Sequence, residues 1–147
     1  MEYTLENITK LKKNEVFVFG SNESGIHGAG AARYAAIKFG ARKGQGFGLM
    51  LPNDIGDGMS FAIPTKDWNI NILGLNDIQF YVDRFGDFAY LNNDLKFYVT
   101  KIGCGLAGLT VEQIAPLFRG LLNEDNIVFP KEFWDVCEKN KSSDTIS

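Results

Sequence analysis

The chain has 147 residues, 45% of them hydrophobic and 13% aromatic, with 18 acidic and 15 basic side chains for a formal charge of −3. That apolar content excludes a disordered chain, and the weakly acidic balance argues against a protein that grips nucleic acid through its phosphates. No apolar run approaches the roughly 20 residues that span a bilayer, and the start, Met1-Glu2-Tyr3-Thr4-Leu5-Glu6, lacks the blocks of a signal peptide, so one cytoplasmic domain without membrane contact is expected.

The first predicted element is a short buried strand over Glu15-Val16-Phe17-Val18-Phe19, ending at Gly20-Ser21-Asn22. A glycine-bearing loop leads to a helix over Ala29 to Phe39, rich in alanine and stopped at Gly40. The glycine-dense stretch 44–48 reads as irregular, and Ser60-Phe61-Ala62-Ile63 as a second strand closed by Pro64. A polar turn, Thr65-Lys66-Asp67, follows. From Leu75 the apolar residues Leu75, Ile78, Tyr81, Val82, Phe85, Phe88 and Ala89 recur at helical spacing, interrupted by Gly86.

Leu95 to Ile102 is the clearest strand, and it runs into Gly103-Cys104-Gly105-Leu106-Ala107-Gly108. Thr110 and Gln113 form a capping box that opens a helix through Phe118. Asn126 to Phe129 is the last strand, Pro130 suits the first turn of a helix ending near Cys137, and residues 138–147 read as a disordered polar tail. A single domain over 1–137 is therefore expected. The alternation of strands and helices predicts a mostly parallel sheet with helices on both faces, in which ligands sit beyond the carboxyl ends of the strands. Three loops lie at that edge: Gly20 to Gly30, Pro64 to Asp67, and Gly103 to Gly108.

A glycine-dense turn between a strand and a helix lets several backbone N–H groups approach one anion, although glycines also serve tight connections with no ligand. Gly103, Gly105 and Gly108 match G-x-G-x-x-G, but Gly108 falls before the Thr110 cap and the next strand ends at Phe129-Pro130 without an acidic residue for a ribose. Neither loop holds the Gly-Lys-Ser/Thr of a nucleoside-triphosphate loop. Two such loops at one edge favour phosphate-cradling, without Rossmann or P-loop chemistry, over plain tight connections.

His27, the one histidine, sits among glycines where it would lie beside a bound phosphate as an acid or base, or would be structural. Asn22 offers an amide to a ligand hydroxyl or caps its own loop. Lys66 and Asp67 form either a solvated turn or a phosphate contact with a proton acceptor beside it. Cys104, between glycines of an anion loop, is a candidate nucleophile with His27, or simply a small packed residue. Trp68, Phe47 and Phe61 would stack a base or belong to the core. Cys104, Cys137 and His27 make no metal-ligand set and no disulfide framework, and no motif calls for a cofactor.

The order of these motifs resembles a macro domain, the fold that binds ADP-ribose. The strand ending in Phe19-Gly20-Ser21-Asn22, with His27-Gly28-Ala29-Gly30-Ala31-Ala32 after it, is similar to the family's Asn-Ala-Ala-Asn, glycine loop and alanine-rich helix. Val99 to Gly108 resembles the strand and loop that wrap the diphosphate and distal ribose, and Ile127-Val128-Phe129 fits the closing strand, so the likeness runs over about residues 15–137. The chain departs from the family where Asn-Ala-Ala-Asn is reduced to Gly20-Ser21-Asn22, where the triple glycine becomes His27-Gly28-Ala29-Gly30, and where no aspartate is evident for an adenine amino group. The complete string is similar to small macro-like proteins of bacteria and their phages.

The resemblance implies a three-layer α/β/α sandwich with a mixed, mostly parallel sheet, macro domain-like in topology. It also implies an ADP-ribose-like nucleotide as partner, held by Gly20, Ser21, Asn22, Gly25, Gly28, Gly30, Thr65, Lys66, Gly103, Cys104, Gly105, Leu106, Ala107 and Gly108, with Asn22 at the distal ribose. If the protein is an enzyme, hydrolysis at that ribose, of a phosphate, acyl or ADP-ribosyl group, is expected, with His27 as acid or base and Asp67 its partner. The alternative is a binder that sequesters an NAD-derived nucleotide unchanged.

Overall fold

The computed structural model describes the backbone of residues 1–146 and the side chains of residues 1–139. Five strands and four helices follow in the order β1 (Glu15–Asn22), α1 (Gly30–Lys38), β2 (Gly48–Met50), β3 (Met59–Lys66), α2 (Leu75–Leu91), β4 (Lys96–Val99), α3 (Val111–Ile114), β5 (Ile127–Val128) and α4 (Lys131–Ile146). A 3-10 helical segment, Ala115–Leu121, continues directly from α3. The strands form one sheet in the order β2-β3-β1-β4-β5. All neighbours are parallel except β2 with β3.

The three layers follow from the alternation of side chains along β1. Val16 and Val18 enter a core shared with Ile78, Val82 and Phe85 of α2, with Phe118, and with Phe133 of α4. Phe17 and Phe19, on the opposite face, pack with Ala32 and Ala35 of α1 and with Phe39. Each such side chain removed from water contributes about 1.5–3 kcal/mol before entropy is counted, so β1, apolar on both faces, anchors both helical layers. Among the described residues no helix is long and apolar enough to cross a membrane.

Several elements depart from the sequence reading for identifiable reasons. β3 continues through Pro64 to Lys66: β2 accompanies it only as far as Ala62, and its pairing with β1 shifts register opposite Pro64 to Lys66, settings in which a strand tolerates proline. Gly86 does not interrupt α2: a β-carbon there would lie 2.6 Å from Leu121 Cδ2, so glycine lets the helix approach the 3-10 segment. The Thr110–Gln113 capping box forms, but the helix it opens tightens to 3-10 geometry at Ala115, where Pro116 removes a backbone donor. The last strand narrows to Ile127 and Val128. α4 runs beyond Cys137 to Ile146, while the side chains of residues 140–147, most of the expected polar tail, lie outside the described residues.

Candidate functional site

The parallel register brings the carboxyl ends of three strands together. Gly20 pairs with Ile63 and Ser21 with Pro64 on one side of β1, and Val18 pairs with Val99 on the other. Beyond these ends opens a cleft of about 1140 Å3. Twelve of the sequence-predicted residues line it: Gly20, Ser21 and Asn22 of β1, Gly28 and Gly30 of the first loop, Thr65 and Lys66 of β3, and Gly103 through Ala107. Gly25, His27, Asp67 and Gly108 do not line it.

Close backbone approach holds the loops in place. A β-carbon on Gly20 would lie 3.1 Å from the amide nitrogen of Gly103, so the ends of β1 and β4 meet with no room for a side chain. Thr100 fastens the same junction, its N–H (3.1 Å) and its hydroxyl (2.8 Å) both donating to the Val18 carbonyl. The buried Thr65 hydroxyl donates to the Ser21 carbonyl at 3.3 Å, and the Ser21 hydroxyl donates to that of Gly46. Asn22 is a loop clamp. Its Oδ1 accepts from the Ile26 N–H (2.9 Å) and the Ser24 hydroxyl (2.8 Å), and its Nδ2 donates to the Ile26 carbonyl (2.8 Å). One Nδ2 hydrogen is left for a ligand. Glu23 accepts from the Tyr81 hydroxyl, tying the loop to α2; burial first, then the Glu23 carboxylate, pushes that phenol up to about 12.

Two sets of backbone donors remain unspent at the cleft. In the second loop, the Cys104, Gly108 and Leu109 N–H groups are satisfied by the carbonyls of Lys101, Gly105 and Gly103. Those of Gly105, Leu106 and Ala107 meet no protein acceptor among the described residues. Helix α1 begins at Gly30 without a side-chain cap from Ala29, so its first-turn N–H groups at Gly30, Ala31 and Ala32, all lining the cleft, are also open. The two sets are neighbours: a β-carbon on Gly30 would lie 3.3 Å from Leu106 Cδ1. An uncapped helix N-terminus beside a turn of free amides has the chemistry to accept an anion with no charged side chain required.

The side chains proposed for chemistry sit differently. The half-buried His27 ring packs edge-on against Phe19, 5.4 Å between centroids. Its Nε2 lies 2.9 Å from the Arg42 carbonyl oxygen and 3.0 Å from that of Gln45. Two acceptors require the proton on Nε2, and Nδ1 is buried without a partner. Desolvation accordingly lowers the histidine below its usual range, more than the two carbonyls raise it. Asp67 closes a turn, its Oδ1 accepting from the N–H groups of Asn69 (2.8 Å) and Asn71 (3.0 Å). Burial pushes the Cys104 thiol up, against nucleophile formation, and its Sγ lies 3.5 Å from the Ile102 carbonyl. Lys66 lines the cleft with no carboxylate in ion-pair range among the described residues. Phe47 and Phe61 pack on each other at 5.3 Å in the core, while Trp68 is exposed.

One wall was not anticipated. Leu5 through Thr9 line the cleft, docked at one end by Thr4, whose N–H donates to the Phe129 carbonyl (2.9 Å) and whose hydroxyl donates to that of Val128 (3.1 Å). Tyr34 of α1 pins the other end, donating to the Ile8 carbonyl at 2.6 Å. Lys101 at the rim pairs with Glu132 at 2.6 Å and Glu6 at 3.5 Å. The sequence signal was slight, Leu5, Ile8 and Leu11 at three-residue spacing in an otherwise polar stretch ahead of the first strand. Ile70, on the loop after β3, also lines the cleft.

With this geometry in place, the fold is macro domain-like: three solved structures match it at low sequence identity, one of them a macrodomain protein. A protein of unknown function from Bacteroides thetaiotaomicron matches with a TM-score of 0.58 at 13% identity, over 82% of this chain and 88% of that one. A macrodomain protein from Streptomyces coelicolor matches at 0.56 and 14% identity, over 84% and 90% of the two chains. Thermosipho africanus DarTG, solved in complex with ADP-ribose, matches at 0.55 and 20% identity, over 80% of this chain but 38% of its own length. Neither a protein-family model nor a curated protein matches the sequence.

Proposed function

We propose that the cleft binds ADP-ribose or a closely related NAD-derived nucleotide, with the diphosphate at the meeting point of the second glycine loop and the N-terminus of α1. The observation that carries this reading is the pair of unspent donor sets, Gly105 to Ala107 and Gly30 to Ala32, facing one cleft of about 1140 Å3. That size suits a dinucleotide-like ligand. Support for the particular ligand comes from the DarTG structure, which shares the fold and was solved with ADP-ribose.

The two ends of the cleft suggest the ligand's direction. β3 and β5 lie on opposite sides of β1 in the sheet. Leu5 stands on the β5 side, next to the docked Thr4, and the wall runs from it to Ile8 and Tyr34 of α1, an apolar and aromatic surface for a base. At the β3 end stand Lys66 and Asn22, polar groups suited to the hydroxyls of the terminal ribose. Leu106 and Ile26, both exposed, provide apolar lips between them.

Between binding and turnover, the geometry favours binding. His27 is committed to two carbonyls and Asp67 to two turn amides, so we assign both to the scaffold rather than to proton transfer. The test is titration calorimetry with ADP-ribose followed by mass spectrometry of the ligand. Micromolar binding with the ligand mass unchanged is expected. Turnover that disappears in His27→Ala or Asp67→Ala would reinstate the hydrolase reading, in which a phosphate, acyl or ADP-ribosyl group leaves the distal ribose.

A further inference from the structure

Ile70 has φ +65, the one non-glycine residue with a positive φ among the described residues. A β-branched side chain is disfavoured there, since its Cβ crowds the backbone. The surrounding loop enforces the conformation. Lys66 and Ile72 form an isolated antiparallel bridge, and the Leu73 N–H donates to the Thr65 carbonyl at 2.9 Å. Inside that stem the Asp67 N–H donates to the Asn71 carbonyl (2.8 Å) and the Ile70 N–H to the Asp67 carbonyl (3.1 Å), while Asp67 Oδ1 takes the two N–H bonds already described.

Folding does not repay this strain by burial. Ile70 packs into neither hydrophobic core and remains 41% exposed, yet it lines the cleft next to Lys66. A strained apolar residue kept at the mouth of a site by its own loop is repaid when a ligand covers it. The polar groups at this end, Lys66 and the free Nδ2 hydrogen of Asn22, suit hydroxyls, whereas Ile70 suits a C–H face. A ring with both is a sugar.

Resting on the nucleotide-binding reading above, we infer that Ile70 is the specificity-determining residue for the ligand's terminal sugar, packing on its ring face, and that Asp67 is a positioning residue that holds Ile70 there. The site then distinguishes a nucleoside diphosphate carrying a terminal ribose from the bare nucleoside diphosphate.

The experiment is calorimetric titration of the full chain and its Ile70→Gly variant with ADP-ribose and with ADP, alongside thermal melting. The wild-type protein should prefer ADP-ribose. Ile70→Gly should weaken ADP-ribose about tenfold, the scale of one apolar side-chain contact, and leave ADP unchanged. Its melting temperature should hold or rise, because glycine adopts φ +65 without strain. Asp67→Ala should reproduce the loss of preference, and Asp67→Asn, which keeps the Oδ1 acceptor, should restore it. A wild-type protein that binds neither nucleotide overturns the nucleotide reading and this inference with it. Wild-type binding with equal affinities, an unchanged preference in Ile70→Gly, or an equal loss of both ligands overturns this inference alone.

Discussion

The β-carbon that Gly20 lacks would stand 3.1 Å from the amide nitrogen of Gly103, so the last turn of β1 and the start of the second glycine loop are in backbone contact. Ile102 Cγ2, at 3.2 Å, closes the remaining space. In Gly20→Ala the two loops must separate by a few tenths of an ångström. Overpacking of this kind costs about 1–3 kcal/mol. Denaturant unfolding should show that loss, and ADP-ribose affinity should fall about tenfold as the donors of the second loop shift away from those of α1. Wild-type affinity in a destabilised Gly20→Ala protein would disconnect the junction from binding.

His27 makes stability fall on the acid side. Its native form is neutral, with Nε2–H shared between two carbonyls, and burial holds its pKa below the ordinary value of 6.5. Above that value neither the folded nor the unfolded state carries the proton. As pH drops through it, the unfolded chain takes up a proton that the folded chain refuses, so stability declines until the native pKa is passed. Proton NMR should place the His27 midpoint under 6.5, and His27→Gln should flatten the stability profile between pH 6.5 and the native midpoint. A native midpoint above 6.5 would mean the ring is not held as described.

Gly86 and Leu121 should be energetically coupled. Replacing a mid-helix glycine by alanine ordinarily gains about 1 kcal/mol of helix propensity, but here the new methyl would fall 2.6 Å from Leu121 Cδ2. Gly86→Ala is therefore expected to be neutral or destabilising alone and stabilising in a Leu121→Ala background. The double-mutant cycle should give a coupling of about 1 kcal/mol, and additivity would contradict the packing.

Tyr34 ties the N-terminal wall to α1 through its bond to the Ile8 carbonyl. Loss of a hydrogen bond of this kind costs about 1 kcal/mol, so Tyr34→Phe should lose about that in unfolding free energy. It should also weaken ADP-ribose several-fold by loosening Leu5 to Thr9. Full affinity would show that the wall contributes no contact to the ligand.

The parts of this molecule that were legible in the sequence are those written locally. The continuous β-branched and aromatic run of β1, the three- and four-residue spacing of α2 and the Thr110–Gln113 box each encode their element within one short window. β2 is three residues long and owes its pairing to β3, so no window reveals it, whereas β5 was readable within Asn126 to Phe129 and only its two-residue extent was not. The glycine loops were readable as donors, because a strand leading into glycines and then a helix leaves amides open. The orientation of His27 was not, because it depends on carbonyls 15 and 18 residues away at Arg42 and Gln45. The N-terminal wall was hidden for the same reason, since Thr4 finds its partner 124 residues along the chain at Val128. The strain at Ile70 arises from a bonding pattern within the Asp67 turn, and a polar loop sequence announces the turn without announcing the dihedral.

We propose that the unspent amides of the second glycine loop and of α1 form a diphosphate cradle for an ADP-ribose-like nucleotide. Titration calorimetry of the full chain with ADP-ribose tests it most directly. Micromolar binding, weakened in Gly20→Ala, is the predicted result; no heat at millimolar ADP-ribose would contradict such a cradle.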